Sequence, residues 1–138
     1  MIIDDNDNVI DDNDNVVDDN DAVVRLWHRL WIDSDHTAAT ELLTDPFVRH
    51  TIEGRTVDTA SAYGLHVCAV TRHLKGTDVV IDHLSHTGDI THIRFTLEGV
   101  NLTTGEPISI GWIAQYRSEN GRIAEAWTMR QTDFSWHD

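Results

Sequence analysis

Asn120-Gly121-Arg122-Ile123-Ala124-Glu125-Ala126-Trp127-Thr128-Met129-Arg130-Gln131-Thr132-Asp133 is the stretch that decides the fold. Asn-Gly is a strong two-residue hairpin signal, because the tight turn needs positive φ at both central positions. The residues after it alternate. Ile123, Glu125, Trp127, Met129, Gln131 and Asp133 share one face, against Ala124, Ala126, Thr128 and Arg130 on the other. The first face mixes bulk with an amide and carboxylates, and it reads as a pocket wall, mostly apolar with a few convergent polar groups. A plain core strand with a solvated, fraying end is the alternative.

Upstream, the same period of two runs through residues 79–86, 90–100 and 108–117, with turn residues at Thr87-Gly88-Asp89 and Thr104-Gly105. Before that the period is helical. Val23, Leu26, Trp27, Leu30 and Trp31 follow i, i+3, i+4, i+7, i+8, and Asp33-Ser34-Asp35-His36 breaks the pattern. A second short helix is expected at 37–43, stopped by Asp45-Pro46 before an extended Phe47-Val48-Arg49-His50. A third, at 59–74, carries the stripe Tyr63, His66, Val67, Val70, His73, Leu74. Helices first and an antiparallel meander after make an α+β arrangement.

The chain has 138 residues, enough for one domain with a sizeable core. Its net charge of −14 is unevenly spread: nine aspartates and no Lys or Arg lie in residues 1–21, leaving −5 for residues 22–138. There is no basic stripe for a phosphate backbone, so nucleic acid is not an expected partner. Cys68 stands alone, which excludes an internal disulfide and fits a small buried hydrophobe. Neither a leader pattern nor a spanning apolar run is found, so no membrane association and a cytoplasmic location are expected.

Residues 1–21 form an acidic low-complexity extension, and residues 22–138 form the domain. A seven-residue unit recurs at 3–9, 10–16 and 17–23. A calcium loop would use Asp5, Asp7 and Asp11, but the tract has neither the turn glycine nor the distal glutamate. Asp and Asn also favour caps and turns over a coiled coil. A largely solvated, dispensable extension is expected, with Asp18, Asp19 and Asp21 at the positive end of the first helix.

The order of elements is similar to the nuclear-transport-factor-2-like superfamily, and within it the chain resembles SnoaL-like proteins. The matching residues are the leading helix with Trp27 and Trp31, the run Leu43-Thr44-Asp45-Pro46-Phe47-Val48-Arg49-His50, Gly88-Asp89 before a long strand, and Gly121 through Trp127. The resemblance covers residues 22–134. It implies a cone-shaped curved antiparallel sheet closed by N-terminal helices, with a pocket inside. Relatives include polyketide cyclases, epoxide hydrolases, dehydratases, steroid isomerases and non-catalytic binding subunits, and pairing through the outer sheet face is common among them. The implied protein is a homodimeric enzyme without metal or organic cofactor. It would cyclise, isomerise or dehydrate a small hydrophobic, polycyclic or polyketide-like intermediate of secondary metabolism. A binding or assembly domain is the alternative.

In SnoaL-like cyclases an acid lies four residues beyond the terminal tryptophan, where this chain has Gln131; Asp133, two residues on, could replace it. Limonene-type epoxide hydrolases use Arg-x-Asp on a long strand, whereas Arg94-Phe95-Thr96 lacks the aspartate. A dehydratase-like pair implies His73, near the end of the third helix, with Asp33, just after the first. Histidine exchanges protons near neutral pH and aspartate can fix its tautomer. A structural role at the core edge is the alternative for His73 and for His66. His50 stands where the family places a pocket residue. The catalytic candidates are therefore His73, Asp133, His50, Gln131 and Asp33, and the candidate substrate contacts are Trp27, Trp31, Tyr63, His66, Trp112, Trp127 and Met129. His83, His86 and His92 fall on strands, and no helical His pair suggests zinc.

Overall fold

The computed structural model describes residues 21–137, together with the backbone of three dipeptide strands within the first 20 residues. These are β1 (Ile2–Ile3), β2 (Val9–Ile10) and β3 (Val16–Val17), the apolar pairs of the repeat. They pair antiparallel in the order β1-β2-β3, with Ile3 opposite Val9 and Ile10 opposite Val16. The repeat was expected as a solvated extension; the described dipeptides within it pair in this small sheet. Asp5, Asp7, Asp11, Asp18 and Asp19, named above for calcium or the helix dipole, lie outside the described residues.

The domain begins with α1 (Ala22–Trp27), which widens into one π-helical turn (His28–Ile32). Asp21 caps α1, its carboxylate accepting from Val23 N at 2.9 Å, and so satisfies an otherwise orphaned amide. The expected helix thus continues past Trp27 with a looser last turn, in which Asp33 N donates to His28 O. Then come α2 (Thr37–Leu42), β4 (Leu43–Thr51), β5 (Gly54–Asp58) and α3 (Ala60–Thr71). Four long strands complete the chain: β6 (Leu74–Thr87), β7 (Ile90–Asn101), β8 (Pro107–Glu119) and β9 (Arg122–Thr132).

The six strands β4–β9 form one curved, unclosed sheet in the order β5-β4-β9-β8-β7-β6. β6 to β9 are the expected antiparallel meander. The sheet as a whole is mixed, which corrects the all-antiparallel expectation, because β4 runs parallel to β9. Its pairing shifts register between Leu43 and Val48, across Asp45-Pro46, where proline is tolerated because the ladder is already interrupted. Further register shifts in β6 and between Arg117 and Ser118 give the local bends that curve a sheet.

The helices lie on the concave face. Val23, Leu26, Trp27 and Leu30 of the first helix are buried against Phe95, Leu97, Trp112 and Tyr116 of the sheet. At Gly76, where β6 begins, a Cβ would come within 2.5 Å of Trp31 O. Glycine there lets the π-helical turn sit directly on the strand.

Candidate functional site

Inside the concave face is a cavity of about 210 Å³. One wall is aromatic: Trp27 and Trp31 stack at 5.3 Å and 15°, and Trp112 meets Trp27 edge-on at 4.8 Å. The α3 stripe supplies Tyr63, His66, Val67 and Val70, with Leu74 just beyond it. The floor is β9, whose inward residues Ala126, Thr128 and Arg130 pair with Tyr116, Ala114 and Trp112 of β8. Space exists here because β9 sends an alanine and a threonine inward where a core strand would send bulk.

The polar groups converge on the same space. Trp27 Nε1 donates to Tyr116 Oη at 2.9 Å, in the buried interior. Burial pushes the Tyr116 phenol well above its ordinary pKa, with the neighbouring Tyr63 adding to the rise. Burial likewise raises Tyr63, against a smaller lowering by the Arg49 guanidinium. Both phenols are therefore neutral at physiological pH and can donate a hydrogen bond. Arg49 lies over the Tyr63 ring at 4.8 Å and reaches Asp58 only at 3.5 Å. Among the described residues, Arg49 Nε and Trp112 Nε1 are buried donors without a hydrogen-bond partner. Arg130 lies over the Trp112 ring at 5.7 Å and pairs with Glu53 at 2.9 Å.

Of the residues singled out from sequence, Trp27, Trp31, Tyr63, His66 and Trp112 line the cavity. His73, Asp133, His50, Gln131, Asp33, Trp127 and Met129 do not, and each departure has a local cause. α3 ends at Thr71, so His73 sits exposed on the turn into β6, off the helical stripe. Asp33 is exposed at the end of the π-helical turn. The alternating face of β9 points the opposite way from expectation. Pairing with the inward Trp112, Ala114 and Tyr116 fixes the even-numbered residues inside, which turns Trp127, Met129 and Gln131 outward. Asp133 takes φ of 55° and turns the chain back, ending the strand before that face could extend. His50 is on the outer face as well, stacked on Trp127 at 5.3 Å with Nε2 2.7 Å from Glu125 Oε2. Arg49, Thr51, Thr128 and Arg130 line the cavity and were not singled out. Arg49 follows from the alternation of Phe47, Arg49 and Thr51 along β4, had the strand's inward face been anchored on Phe47.

A family model for the SnoaL-like domain matches residues 24–126. The chain belongs to the SnoaL-like domain family. Solved structures agree on the fold. IdmH from Streptomyces antibioticus, proposed to be a polyketide cyclase, is 20% identical with a TM-score of 0.62, over 85% of this chain and 93% of that one. A proposed isomerase from Bacillus subtilis is 14% identical with a TM-score of 0.69, over 80% and 84%. An LEH-like epoxide hydrolase from M. tuberculosis is 13% identical with a TM-score of 0.65, over 80% of each chain. At these identities the likeness shows the fold alone, and the named activities differ from one another. No curated protein matches this chain closely enough in sequence to count as a relative.

The outer sheet face of this SnoaL-like domain has its own depression, more open and of about 230 Å³, lined by His83, His92, Arg94, Ile113, Gln115 and Trp127. Beside it the C-terminal segment folds back over Gly111: Phe134 N donates to Ser109 O, and Trp136 Nε1 to Trp112 O at 2.9 Å. A side chain at position 111 would collide with the Phe134 ring. Among the described residues, no group of three or more His, Cys, Asp or Glu could hold a metal ion, and no helix is long and apolar enough to cross a membrane.

Proposed function

We propose that the concave cavity binds one flat hydrophobic molecule and that the protein catalyses a proton-transfer reaction on it, a cyclisation, isomerisation or dehydration. The observation that carries this is the composition of the lining: a tryptophan wall facing Tyr63 and His66, which lie one helical turn apart on α3. Histidine is the side-chain type that takes and returns a proton near neutral pH. A neutral phenol beside it can donate to the oxyanion that develops when a C–H next to a carbonyl is deprotonated. His66 therefore takes the acid–base role, and Tyr63 that of the electrophile.

Volume limits the substrate. A dry cavity of about 150 Å³ holds benzene, so about 210 Å³ suits a molecule of one or two rings. This narrows the polycyclic intermediate expected from the family resemblance. Because the lining holds no carboxylate among the described residues, a purely binding role is the competing reading.

Hydrogen–deuterium exchange at the acidic C–H of 2-tetralone, followed by NMR, separates the two. Acceleration over buffer that falls about 10²-fold or more in His66→Gln is the expected result. Saturable binding of 2-tetralone without exchange would establish the binding role instead. The outer face carries exposed Ile113, Trp127 and Met129 side by side. A second copy of this chain, meeting His92, Arg94 and Gln115 there, is the partner this face fits.

A further inference from the structure

The cavity differs from the rest of the molecule in the sign of its charge. The protein carries a net −14, yet among the described residues the basic side chains in the lining are Arg49, Arg130 and His66, with no aspartate or glutamate beside them. Arg130 already has a close carboxylate, Glu53 at 2.9 Å. Arg49 does not. Among the described residues its carboxylate contact is Asp58 at 3.5 Å, the long limit of a hydrogen bond, and its Nε is a buried donor with no partner. Arg29, in the π-helical turn after α1, shows what a saturated guanidinium looks like in this protein: it meets Glu41 at 2.6 Å and Asp35 at 2.8 Å.

The Arg49 side chain is held rather than free. It projects inward from β4 beneath α3, and its planar group lies against the Tyr63 ring at 4.8 Å. That contact sets the cation over the face of the ring, and Asp58 engages one terminal nitrogen only at 3.5 Å, so the guanidinium keeps donor capacity for an acceptor in the cavity. An immobilised fork in a partly enclosed site, with its charge only loosely countered, matches the two oxygens of a carboxylate. The surrounding low dielectric strengthens that pairing relative to water.

We propose that the ligand is a flat one- or two-ring carboxylate, its rings against Trp27, Trp31 and Trp112 and its carboxylate on Arg49. This rests on the reading above that the concave cavity is the ligand site, and it adds the class of substrate. A carboxylate fixed on Arg49 would also hold the rest of the molecule beside Tyr63, whose ring Arg49 touches, and one helical turn from His66, so Arg49 sets specificity and position.

The test is calorimetric titration with 2-naphthoate and its neutral isostere 2-naphthamide. The wild type should prefer 2-naphthoate by about tenfold or more, a difference of the size a charge-assisted hydrogen bond supplies. Arg49→Gln should weaken 2-naphthoate to the level of the amide and leave the amide's affinity within about twofold, because the tryptophan wall is untouched. Arg49→Lys keeps the charge and most of the stem but loses the planar fork; should the glutamine variant fail to fold, the lysine variant must still lower the preference about threefold or more. Equal wild-type affinities, or a preference that survives loss of Arg49, would overturn the carboxylate while leaving the cavity as a neutral-ligand site. Absence of binding by either probe would overturn both readings.

Discussion

Ala126→Val puts two extra carbons where the structure leaves room for them. Ala126 is buried on β9, faces Tyr116 across the β8–β9 pair and lines the cavity. In a close-packed strand the same change would force neighbours off their rotamers at a cost of about 1–3 kcal/mol. Here the added methyls enter a space of about 210 Å³. Each buried carbon contributes about 0.8 kcal/mol, so two give about 1.6 kcal/mol at most. The cavity has a mouth, and only part of the added area leaves water, so about 1 kcal/mol is the expected net gain. For a chain between the small and large domain classes this raises Tm by about 3–5 °C. Valine also suits a strand better than alanine. Thermal unfolding by circular dichroism reads the gain, and titration with a two-ring probe reads the accompanying loss of affinity, because the methyls occupy ligand volume. A variant destabilised by about 1 kcal/mol or more would refute the reasoning, since it would mean that the Ala126 side chain meets packed atoms.

Three other outcomes follow from contacts in the structure. Tyr116→Phe removes the acceptor of Trp27 Nε1 and should cost about 1–3 kcal/mol, seen as a lower urea midpoint at unchanged m, because a buried donor is left unpaired. Asp35 is held down to about 2 by hydrogen bonds from Thr37 and then from Arg29. A lowered carboxyl contributes stability that is full above about pH 4 and lost as pH falls toward 2, so the destabilisation caused by Thr37→Ala should be present at pH 6 and vanish near pH 2 in chemical denaturation. On the outer face, the double variant Ile113→Asp with Met129→Lys should convert a dimer to a monomer in sedimentation equilibrium without lowering probe binding; a wild type that is monomeric at high concentration would reject the dimer.

The meander was legible because each of its strands buries one face, so the period of two survives in the sequence. The α3 stripe was legible for the same reason, apart from His73, where the helix had already ended. β5 was not, since among the described residues Gly54–Asp58 pairs only with β4 and is exposed along most of its length; an edge strand held by backbone bonds leaves no alternation to read. The parallel pairing of β4 with β9 is a long-range contact that no local pattern encodes. The inversion of β9 has a physical lesson. Bulk on Trp127 and Met129 looked like the inside, but a strand that floors a cavity carries its small residues inward, and here its bulk lies on the outer sheet face. Three tryptophans of the site are legible because they sit on helical spacing or on a strand whose neighbours are apolar, whereas nothing local to Arg49 distinguishes it from a charged residue on a solvated strand face.

The side of the sheet on which ligand binds is the central claim, and intermolecular nuclear Overhauser effects to the five indole rings test it most directly. With 2-naphthoate bound, contacts to Trp27, Trp31 and Trp112 are expected, and none to Trp127 or Trp136, which lie across the sheet. Contacts confined to Trp127 and Trp136 would place the ligand in the outer depression and contradict the assignment of the concave cavity as the functional site.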